Sequence, residues 1–591
     1  MNWDLSKLYK GFDDPAFASD MAKFEEELEA ARAQVAALGE GPDEAAKLRA
    51  VVEKLREIND LGGKLGSMIF LTLAADSDCE AALAPRQRLL ELGNRQRMLE
   101  SAFVRHIGAN PRIEALCAQD ALLQEHALYF RKCREEAAHL IDPALEPAVL
   151  DMQLTGDSAW VRLRDELFAG LSIDVELDGE VKTLPLPAVR ALADDPRAEV
   201  REAGYRAELG AYPRIETAMA ACLNGIKGEA ITLARMRGFD SVLDWALGIA
   251  RVDRETLSAL LTAMEESFPM FREYFRLKAK LLGYEGGLKF QDLFAPVGDD
   301  AASYSLDEAR DLLLKVFGGH SPEIADVMRR AFDEEWIDAY PRPGKEGGAF
   351  CADVHALRQS YVLTNFNGSF SAVSTLAHEL GHAFHNSCLD DASALMCDVP
   401  MPLAETASTF NELLLSEHML EAEPAAALKL LEQQLGDAAQ VIVDIMSRYL
   451  FEKEVVERRR DSALTARELC EIMRNAQLKT YGDGLNPEYL HPYMWACKPH
   501  YYDTDNHFYN FPYAFGLLFA AGLHAKYREL GDAFWPMYKK ILRFSGVGTV
   551  REAAASAGID VTDPEFWRGS LSVFKNKLDQ LQKLAKLPEN A

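Results

Sequence analysis

The sequence lacks the segments that would mark a membrane or secreted protein. Its most apolar long stretch, around residues 511–525, is too short and too interrupted to span a bilayer. Its first residues, Met1–Leu5, contain neither a basic nor an apolar signal region, so we expect no secretory signal. C-x-x-C pairs are missing as well, and nine cysteines cannot all pair within one chain. These absences favour a reducing, cytoplasmic setting.

Positive charge is also in short supply. The chain has 64 Lys and Arg residues against 93 Asp and Glu, which gives a net charge of −29. We therefore expect neither nucleic acid nor an anionic membrane among its partners. The charge fits simple solubility, and it also fits a field that attracts basic substrates. The sequence leaves both explanations open and does not indicate an oligomeric state.

Length and patterning predict a mainly α-helical protein with more than one lobe. At 591 residues, 48 % of them hydrophobic, the chain exceeds a single compact domain. Apolar residues recur at helical spacing between Phe17 and Leu38, with Ser19 placed as an N-cap and Gly39 just past the helix end. Similar amphipathic runs continue to about residue 165 and again from about residue 400.

One short segment departs from the helical period. Apolar and acidic residues alternate from residue 173 to 177 and Asp178-Gly179 is a turn signal, which predicts a β-hairpin near residues 172–184. Prolines follow, and helical patterning then resumes. We place a domain boundary here, between an N-terminal helical lobe, residues 1–195, and a second lobe, residues 196–591.

The most informative motif is His378-Glu379-Leu380-Gly381-His382, in the middle of a run with helical pattern. Two histidines four residues apart lie one turn apart on the same helix face, so both rings can reach one metal ion. The glutamate after the first histidine points beside that metal, where it can take a proton from a water molecule. The motif predicts a zinc peptidase site.

A catalytic zinc site usually has three protein ligands and an open fourth position. One pattern for the third ligand, H-E-x-x-H-x-x-G-x-x-H, is broken here by His385 in place of its glycine and Cys388 in place of its last histidine. The other route is Glu405 on a second helix, Pro402–Leu414, where small apolar neighbours favour a ligand over a surface residue. Glu412 lies on the same face and is better placed to steady a histidine ring.

Several longer segments accompany this motif: Trp3–Tyr9, Gly348–Cys351, Phe370–His385, Ala404–Glu412 and Phe508–Gly516. In this combination the chain resembles the oligoendopeptidase F branch of the M3, thimet-oligopeptidase-like, metallopeptidases. The resemblance covers essentially the whole sequence and is far more specific than the five-residue motif.

The resemblance implies an almost wholly helical, two-lobed fold like that of neurolysin and thimet oligopeptidase, with a deep substrate channel between the lobes. Residues 196–591 would form the catalytic lobe. It further implies one zinc ion per chain, bound by His378, His382 and Glu405, with Glu379 as general base. Short unfolded oligopeptides are the implied substrates, because the channel admits only such chains.

An aromatic segment near the C-terminus supplies candidates for stabilising an oxyanion. Residues 493–515 include nine aromatics, and most of these rings are expected to pack a core. Peptide hydrolysis also needs donors aimed at the oxygen that becomes negative. His500, Tyr509 and Tyr513 resemble the family's histidine-plus-tyrosines segment and are carried over as catalytic candidates, whereas His507 is expected to be structural.

A strand is expected at Tyr361–Phe366, immediately before the motif helix. As an exposed edge beside the metal it could pair with the main chain of an extended peptide. As an ordinary buried strand it would only pack the core. The sequence does not separate these two readings.

We predict a zinc-dependent endopeptidase that hydrolyses internal bonds of short oligopeptides through a zinc-activated water, with Glu379 as general base. An exopeptidase of the same chemistry, releasing dipeptides from C-termini, stays open and needs a cationic anchor for the free carboxylate. A non-catalytic helical scaffold is a second alternative, in which His385 or Cys388 would close a structural metal site. A cysteine hydrolase using Cys351 or Cys497 lacks any local signature.

Overall fold

A computed structural model describes residues 1–39, 43–298 and 303–585. The chain folds into two compact units. The first comprises Met1–Leu140, Ala302–Met419 and Lys526–Ile559, and the second Ile141–Ala301, Leu420–Ala525 and Asp560–Ala591. The predicted boundary near residue 195 falls within one segment of the second unit, so the compact units follow a different division. The lobes 1–195 and 196–591 stay a prediction.

Helices make up most of both units, which confirms the predicted mainly α-helical fold. The α-helices of the described residues are α1 Pro15–Ala36, α2 Glu44–Ala75, α3 Leu83–Ala109, α4 Ile113–Cys117, α5 Ala121–Glu125, α6 Ala127–Ala137, α7 Glu146–Thr155, α8 Asp157–Ala169, α9 Leu186–Ala191, α10 Ala198–Ala211, α11 Glu216–Met236, α12 Val242–Ala250, α13 Arg254–Glu266, α14 Phe268–Leu281, α15 Leu306–His320, α16 Pro322–Asp333, α17 Phe370–Ser387, α18 Met401–Ala404, α19 Thr406–Ala422, α20 Ala427–Ala439, α21 Ile445–Arg459, α22 Ala466–Tyr481, α23 Met494–Cys497, α24 Phe511–Leu530, α25 Phe534–Phe544, α26 Val550–Ala555 and α27 Pro564–Ala585. A π-helical turn, Gln440–Asp444, joins α20 to α21.

The start of α1 differs from the prediction. Its N-cap is Asp14, whose side chain accepts a hydrogen bond from the Ala16 amide, and Pro15 occupies the first helical position. Ser19 therefore lies inside the helix, because an aspartate followed by proline forms the stronger start signal. At the other end, α1 finishes at Ala36, before Gly39.

The predicted β-hairpin is confirmed. Strands β1, Ser172–Leu177, and β2, Glu180–Pro185, pair antiparallel with Ser172 opposite Pro185. Asp178 and Gly179 both have positive φ, 55° and 81°, as a two-residue type I′ turn requires. Every second residue of β1 is buried, so alternation placed its apolar face correctly.

The second sheet has three strands: β3 Ile337–Asp338, β4 Phe350–Val354 and β5 Gln359–Leu363, in the order β3-β5-β4. β5 runs parallel to β3 and antiparallel to β4. All five residues of β5 are buried. The strand predicted at Tyr361–Phe366 thus begins two residues earlier and ends three residues earlier than expected. Its reading as an exposed edge is wrong, because β5 pairs with β3 on one side and with β4 on the other.

Each unit has its own hydrophobic core. In the first unit, Phe24 of α1, Val52 of α2, Phe103 of α3 and Phe130 of α6 pack together, and Tyr361 of β5 joins the same cluster. This sheet is thus tied to the N-terminal helices. Among the described residues, no helix is both long enough and apolar enough to cross a bilayer.

The core of the second unit includes residues of the hairpin and of the helices α9, α10, α11, α21, α22 and α23. Val175 of β1 packs with Leu223 of α11, Phe451 of α21, Met473 of α22 and Trp495 of α23. The segment after Trp495, which carries the aromatic candidates, is therefore attached to a packed helical core.

Candidate metal centre

The motif helix α17 is fixed at its start and along one side. Ser369 is its N-cap and accepts a hydrogen bond from the Ala372 amide. Its apolar face is buried, and near its C-terminal end Asn386 donates to the Ser360 hydroxyl of β5 over 3.0 Å. With that face occupied, His378 and His382 occupy the remaining side, one turn apart.

Glu405 lies at a break between two helices. Residues Pro402–Leu414 were expected to form one helix, but α18 ends at Ala404 and α19 begins at Thr406, with Glu405 between them at φ −82° and ψ 4°. Just beyond the break, the Ser408 hydroxyl donates to Glu405 Oε2 over 2.8 Å. The carboxylate is thus held by its own chain in one orientation.

The structure brings the three predicted metal ligands together. His378 Nε2 lies 3.2 Å from Glu405 Oε2, His382 Nε2 lies 3.4 Å from the same oxygen, and the two ring nitrogens are 3.3 Å apart. Bonds of about 2.05 Å around a tetrahedral zinc place neighbouring ligand atoms about 3.3 Å apart. The three side chains therefore fit three corners of a zinc tetrahedron, and the fourth corner is left for a water or substrate oxygen.

Glu412 supports this arrangement from behind. Its Oε1 contacts His378 Nδ1, the ring nitrogen turned away from the ligand cluster. A carboxylate on Nδ1 fixes the tautomer and leaves Nε2 free to bind a metal. The helices are also joined directly, because buried Asn411 donates to the Ala377 carbonyl over 3.2 Å.

The electrostatics of the cluster match a cation site. Burial by itself would lower the pKa of His378, but hydrogen bonds to Glu405 and Glu412 outweigh burial and raise that pKa to about 10. Burial would raise the pKa of Glu405, yet the two histidines hold it far below its usual range. Glu405 is therefore ionised, as a metal ligand must be.

Glu379 sits in a different environment from Glu405. Its side chain is buried, with 5 % of the residue exposed. Burial raises its pKa, and the attraction of His378 and His382 opposes that change only in part. A carboxylate with a raised pKa holds a proton more readily, which suits a general base. The negative charge of Glu379 also helps to raise the pKa of Cys351 on β4, after burial of the thiol itself.

The alternative ligands lie elsewhere. Within the described ranges the cluster of metal-binding atoms contains only His378, His382 and Glu405. His385 Nε2 is hydrogen-bonded to the Ser545 hydroxyl over 2.9 Å, and the Cys388 thiol is buried. Neither residue supplies the fourth ligand that a closed structural site would need.

The second unit holds the aromatic candidates. His500 and Tyr509 stack with ring centres 5.7 Å apart, and Tyr513 meets Tyr509 edge-on at 5.7 Å. Burial lowers the pKa of His500, and the nearby cations Arg448 and Lys498 lower it further. The three candidates thus form one cluster around a neutral imidazole.

A sequence profile described as Peptidase family M3 matches residues 191–572, well over half of the chain. The chain belongs to this family. A second profile, described as Oligopeptidase F, matches residues 110–172 of this M3 peptidase. The predicted recognition and the predicted class, a metalloendopeptidase of the oligoendopeptidase F type, are confirmed at the level of the family.

Individual relatives agree with the profiles. An oligoendopeptidase F homolog from Lactococcus lactis subsp. lactis (strain IL1403) is 24 % identical over 601 residues, which cover 99 % of this chain and 97 % of the relative. Oligopeptidase PepF from Bacillus subtilis (strain 168) is 25 % identical over 397 residues, 65 % of this chain and 58 % of PepF. The match to PepF thus spans little more than half of that relative's length.

The fold has a close counterpart among solved structures. The crystal structure of a candidate peptidase from Chlamydophila abortus aligns with a TM-score of 0.83 at 21 % identity, over 99 % of this chain and 98 % of that one. At this identity the likeness establishes the fold alone.

Sequence reasoning missed some residues around the candidate ligands and around the aromatic cluster. Ser408 was not predicted, although its position three residues after Glu405 in a helical segment was a usable signal. Arg448, which lowers the pKa of His500 through charge, gave no local signal because it is remote in sequence from the aromatic segment, and the role of nearby Lys498 was overlooked. The histidine motif itself, in contrast, was fully contained in five residues.

Proposed function

We propose that this M3 peptidase is a zinc-dependent endopeptidase that hydrolyses internal bonds of short, unfolded oligopeptides. The observation that carries the proposal is the spacing of His378, His382 and Glu405, whose ligand atoms lie 3.2 to 3.4 Å apart beside buried Glu379. Family membership implies a metal, and this set of two imidazoles and one carboxylate supports zinc as that metal. When bound, zinc supplies Lewis-acid polarisation of a carbonyl oxygen and lowers the pKa of a water to about 7.

Glu379 is the proposed general base. It accepts a proton from the attacking water and passes it to the nitrogen of the leaving amine. Its burial supports both steps, because a raised pKa lets the carboxylate take the proton and hold it until the amine departs. Glu405 stays ionised through the same cycle, so the two glutamates have separate roles.

Donors for the developing oxyanion are proposed at His500, Tyr513 and Tyr509. Their clustering within the second unit supports a common role. A neutral imidazole or a phenol can donate to a negative oxygen, and preorganised donors of this kind are usually the largest single contribution to catalysis.

Substrate binding through the main chain is proposed at β4. This strand is paired with β5 on one side only in the described part of the chain, and it also packs against α17. An extended peptide added to such an edge gains backbone hydrogen bonds with little demand on its sequence. The proposed location is therefore not β5, which the sequence left open as a possible edge, but the neighbouring strand.

The setting is proposed to be the cytoplasm. All nine cysteines are free thiols in the structure, including five that are buried. Chains that work in oxidising compartments usually pair their cysteines, so unpaired thiols support a reducing environment.

The proposal is tested with an internally quenched peptide of about nine residues. Cleavage should disappear on chelation and return when zinc is restored, because the ligand set then regains its ion. Product masses should show cuts at internal bonds. Release of C-terminal dipeptides would replace the endopeptidase by an exopeptidase, and no cleavage by folded, zinc-loaded protein across several peptides would contradict the proposal.

A further inference from the structure

The backbone just before Tyr509 has an unusual conformation. Phe508 has φ +52°, in the left-handed region that bulky residues rarely adopt. Such a residue persists only where its surroundings hold it, and positions of this kind cluster at functional sites. Phe508 directly precedes Tyr509, so its conformation sets the direction in which the next side chain leaves the backbone.

A buried ion pair holds this backbone. Glu452 of α21 accepts a hydrogen bond from the Phe508 amide over 3.1 Å, and the same oxygen accepts one from Lys227 of α11 over 2.6 Å. Both charged residues are completely buried. The Phe508 ring packs on Tyr449, one turn before Glu452 on the same helix, with ring centres 5.6 Å apart. Both the amide and the ring of Phe508 are therefore fixed by α21.

Stability alone does not account for this pair. Replacing a buried ion pair by apolar residues of similar size is often neutral or stabilising, because two charges have to be desolvated. Glu452 is paired here with a lysine from another helix, and the paired oxygen is directed at one backbone amide. A charged acceptor makes the stronger hydrogen bond to an amide.

We infer that the Lys227–Glu452 pair is a positioning device, which fixes the left-handed backbone at Phe508 so that Tyr509 stacks on His500. The inference rests on the proposed role of Tyr509 as an oxyanion donor. Lys227 orients Glu452, Glu452 holds the Phe508 amide, and the amide determines where the Tyr509 ring lies. Neither charged residue touches the substrate.

Two double variants isolate the hydrogen bond to the Phe508 amide. Lys227→Met/Glu452→Leu removes the pair and the acceptor together, and leaves no unpaired charge. Lys227→Met/Glu452→Gln removes the same lysine but keeps an amide oxygen at the position of the acceptor. The two double variants therefore differ mainly in whether residue 452 carries an oxygen that can accept the hydrogen bond. Lys227→Met/Glu452→Met replaces the leucine variant if it does not fold, because an unbranched side chain adapts to the space.

The leucine variant should lower kcat about 10-fold or more with KM within about 2-fold, because a misplaced donor affects the transition state rather than substrate binding. The glutamine variant should restore kcat to within about 3-fold of the natural enzyme. Tyr509→Phe alone should lower kcat about 10²-fold. When Tyr509→Phe is combined with the leucine variant, kcat should fall little further than with Tyr509→Phe alone, because both changes remove the same interaction.

Equal kcat values for the two double variants would overturn the inference, as would fully multiplicative effects of the leucine variant and Tyr509→Phe. The proposed function is judged separately. If Tyr509→Phe retains full activity, the oxyanion role of Tyr509 fails and the inference falls with it. If Tyr509→Phe is impaired while the double variants match each other, only the positioning role is refuted.

Discussion

Gly381 in the middle of the zinc motif offers a sharp test of how the metal site is assembled. A methyl group at this position would lie 2.6 Å from the Ala407 carbonyl oxygen and 2.6 Å from Ser408 Cα, both backbone atoms of α19. Ordinary van der Waals contact begins at 3.4 Å. Gly381→Ala therefore forces α17 and the start of α19 apart by about 0.8 Å, measured against that limit.

This separation of α17 from α19 would change the distances between the candidate metal ligands. Glu405 is two residues before Ala407, while His378 and His382 are on α17 itself. Ligand distances in metal sites are held to about ±0.2 Å, so a shift of about 0.8 Å separates Glu405 from the histidines by several times the allowance. We expect zinc affinity to fall about 10- to 100-fold, with a stability loss of about 1–3 kcal/mol from overpacking.

Zinc affinity would be measured by competition with a chromogenic chelator, and stability by urea unfolding of the metal-free protein. Gly63→Ala is the matched control, because Gly63 is an exposed residue inside α2 with no atom within 4 Å of an added methyl group. This change should stabilise by about 0.5–1 kcal/mol and leave zinc binding unaltered. Unchanged zinc affinity in Gly381→Ala would show that the close approach of α17 and α19 does not hold the ligands in place.

Three further predictions concern single side chains. Glu412→Gln should weaken zinc binding about 10-fold in the same competition assay, because His378 loses the carboxylate on Nδ1. Tyr513→Phe should lower kcat about 10²–10³-fold with KM nearly constant in the peptide assay. Glu208 is buried, which opposes ionisation, but His491 and other groups lower its pKa to about 2 from 4.5. The charge of Glu208 thus adds about 3 kcal/mol to the free energy of unfolding above pH 4.5, and this contribution is lost as the pH falls through about 2. In urea unfolding, Glu208→Gln should therefore be less stable than the natural protein at pH 7 and equally stable near pH 2.

The parts of the structure that were predicted correctly are those in which neighbouring residues decide the outcome. The i, i+4 spacing in a helical run was enough to place His378 and His382 on one face. Strict alternation and an Asp-Gly pair were enough for the hairpin and its type I′ turn. In these cases the side-chain period is itself the physical cause of the geometry.

The errors arose where the local structure depends on contacts with other segments. The sequence allowed β5 to be an edge strand, but β3 and β4 lie on either side of it. Both come from earlier in the chain, and a strand's own residues do not determine which strands pair with it. The break at Glu405 was missed because local propensity favours one continuous helix there. Because this break was not predicted, the hydrogen bond from Ser408 to Glu405 was not predicted either.

The aromatic segment shows the same limit in another form. His500, Tyr509 and Tyr513 were selected by family resemblance, and the structure groups them. What surrounds them was beyond the local pattern, because Lys227, Arg448 and Glu452 reach this segment from helices remote in sequence. Charge pairs between helices carry no signature in either helix alone.

In the proposed mechanism, a metal held by His378, His382 and Glu405 works with Glu379 as general base. The most direct test of this mechanism is Glu379→Gln, assayed for zinc content and for cleavage of the quenched peptide in the same preparation. We expect one zinc per chain, as in the natural enzyme, and a kcat lowered about 10³-fold, since a general base contributes about 10²–10⁴-fold. Cleavage at the natural rate by the zinc-loaded variant would contradict this mechanism.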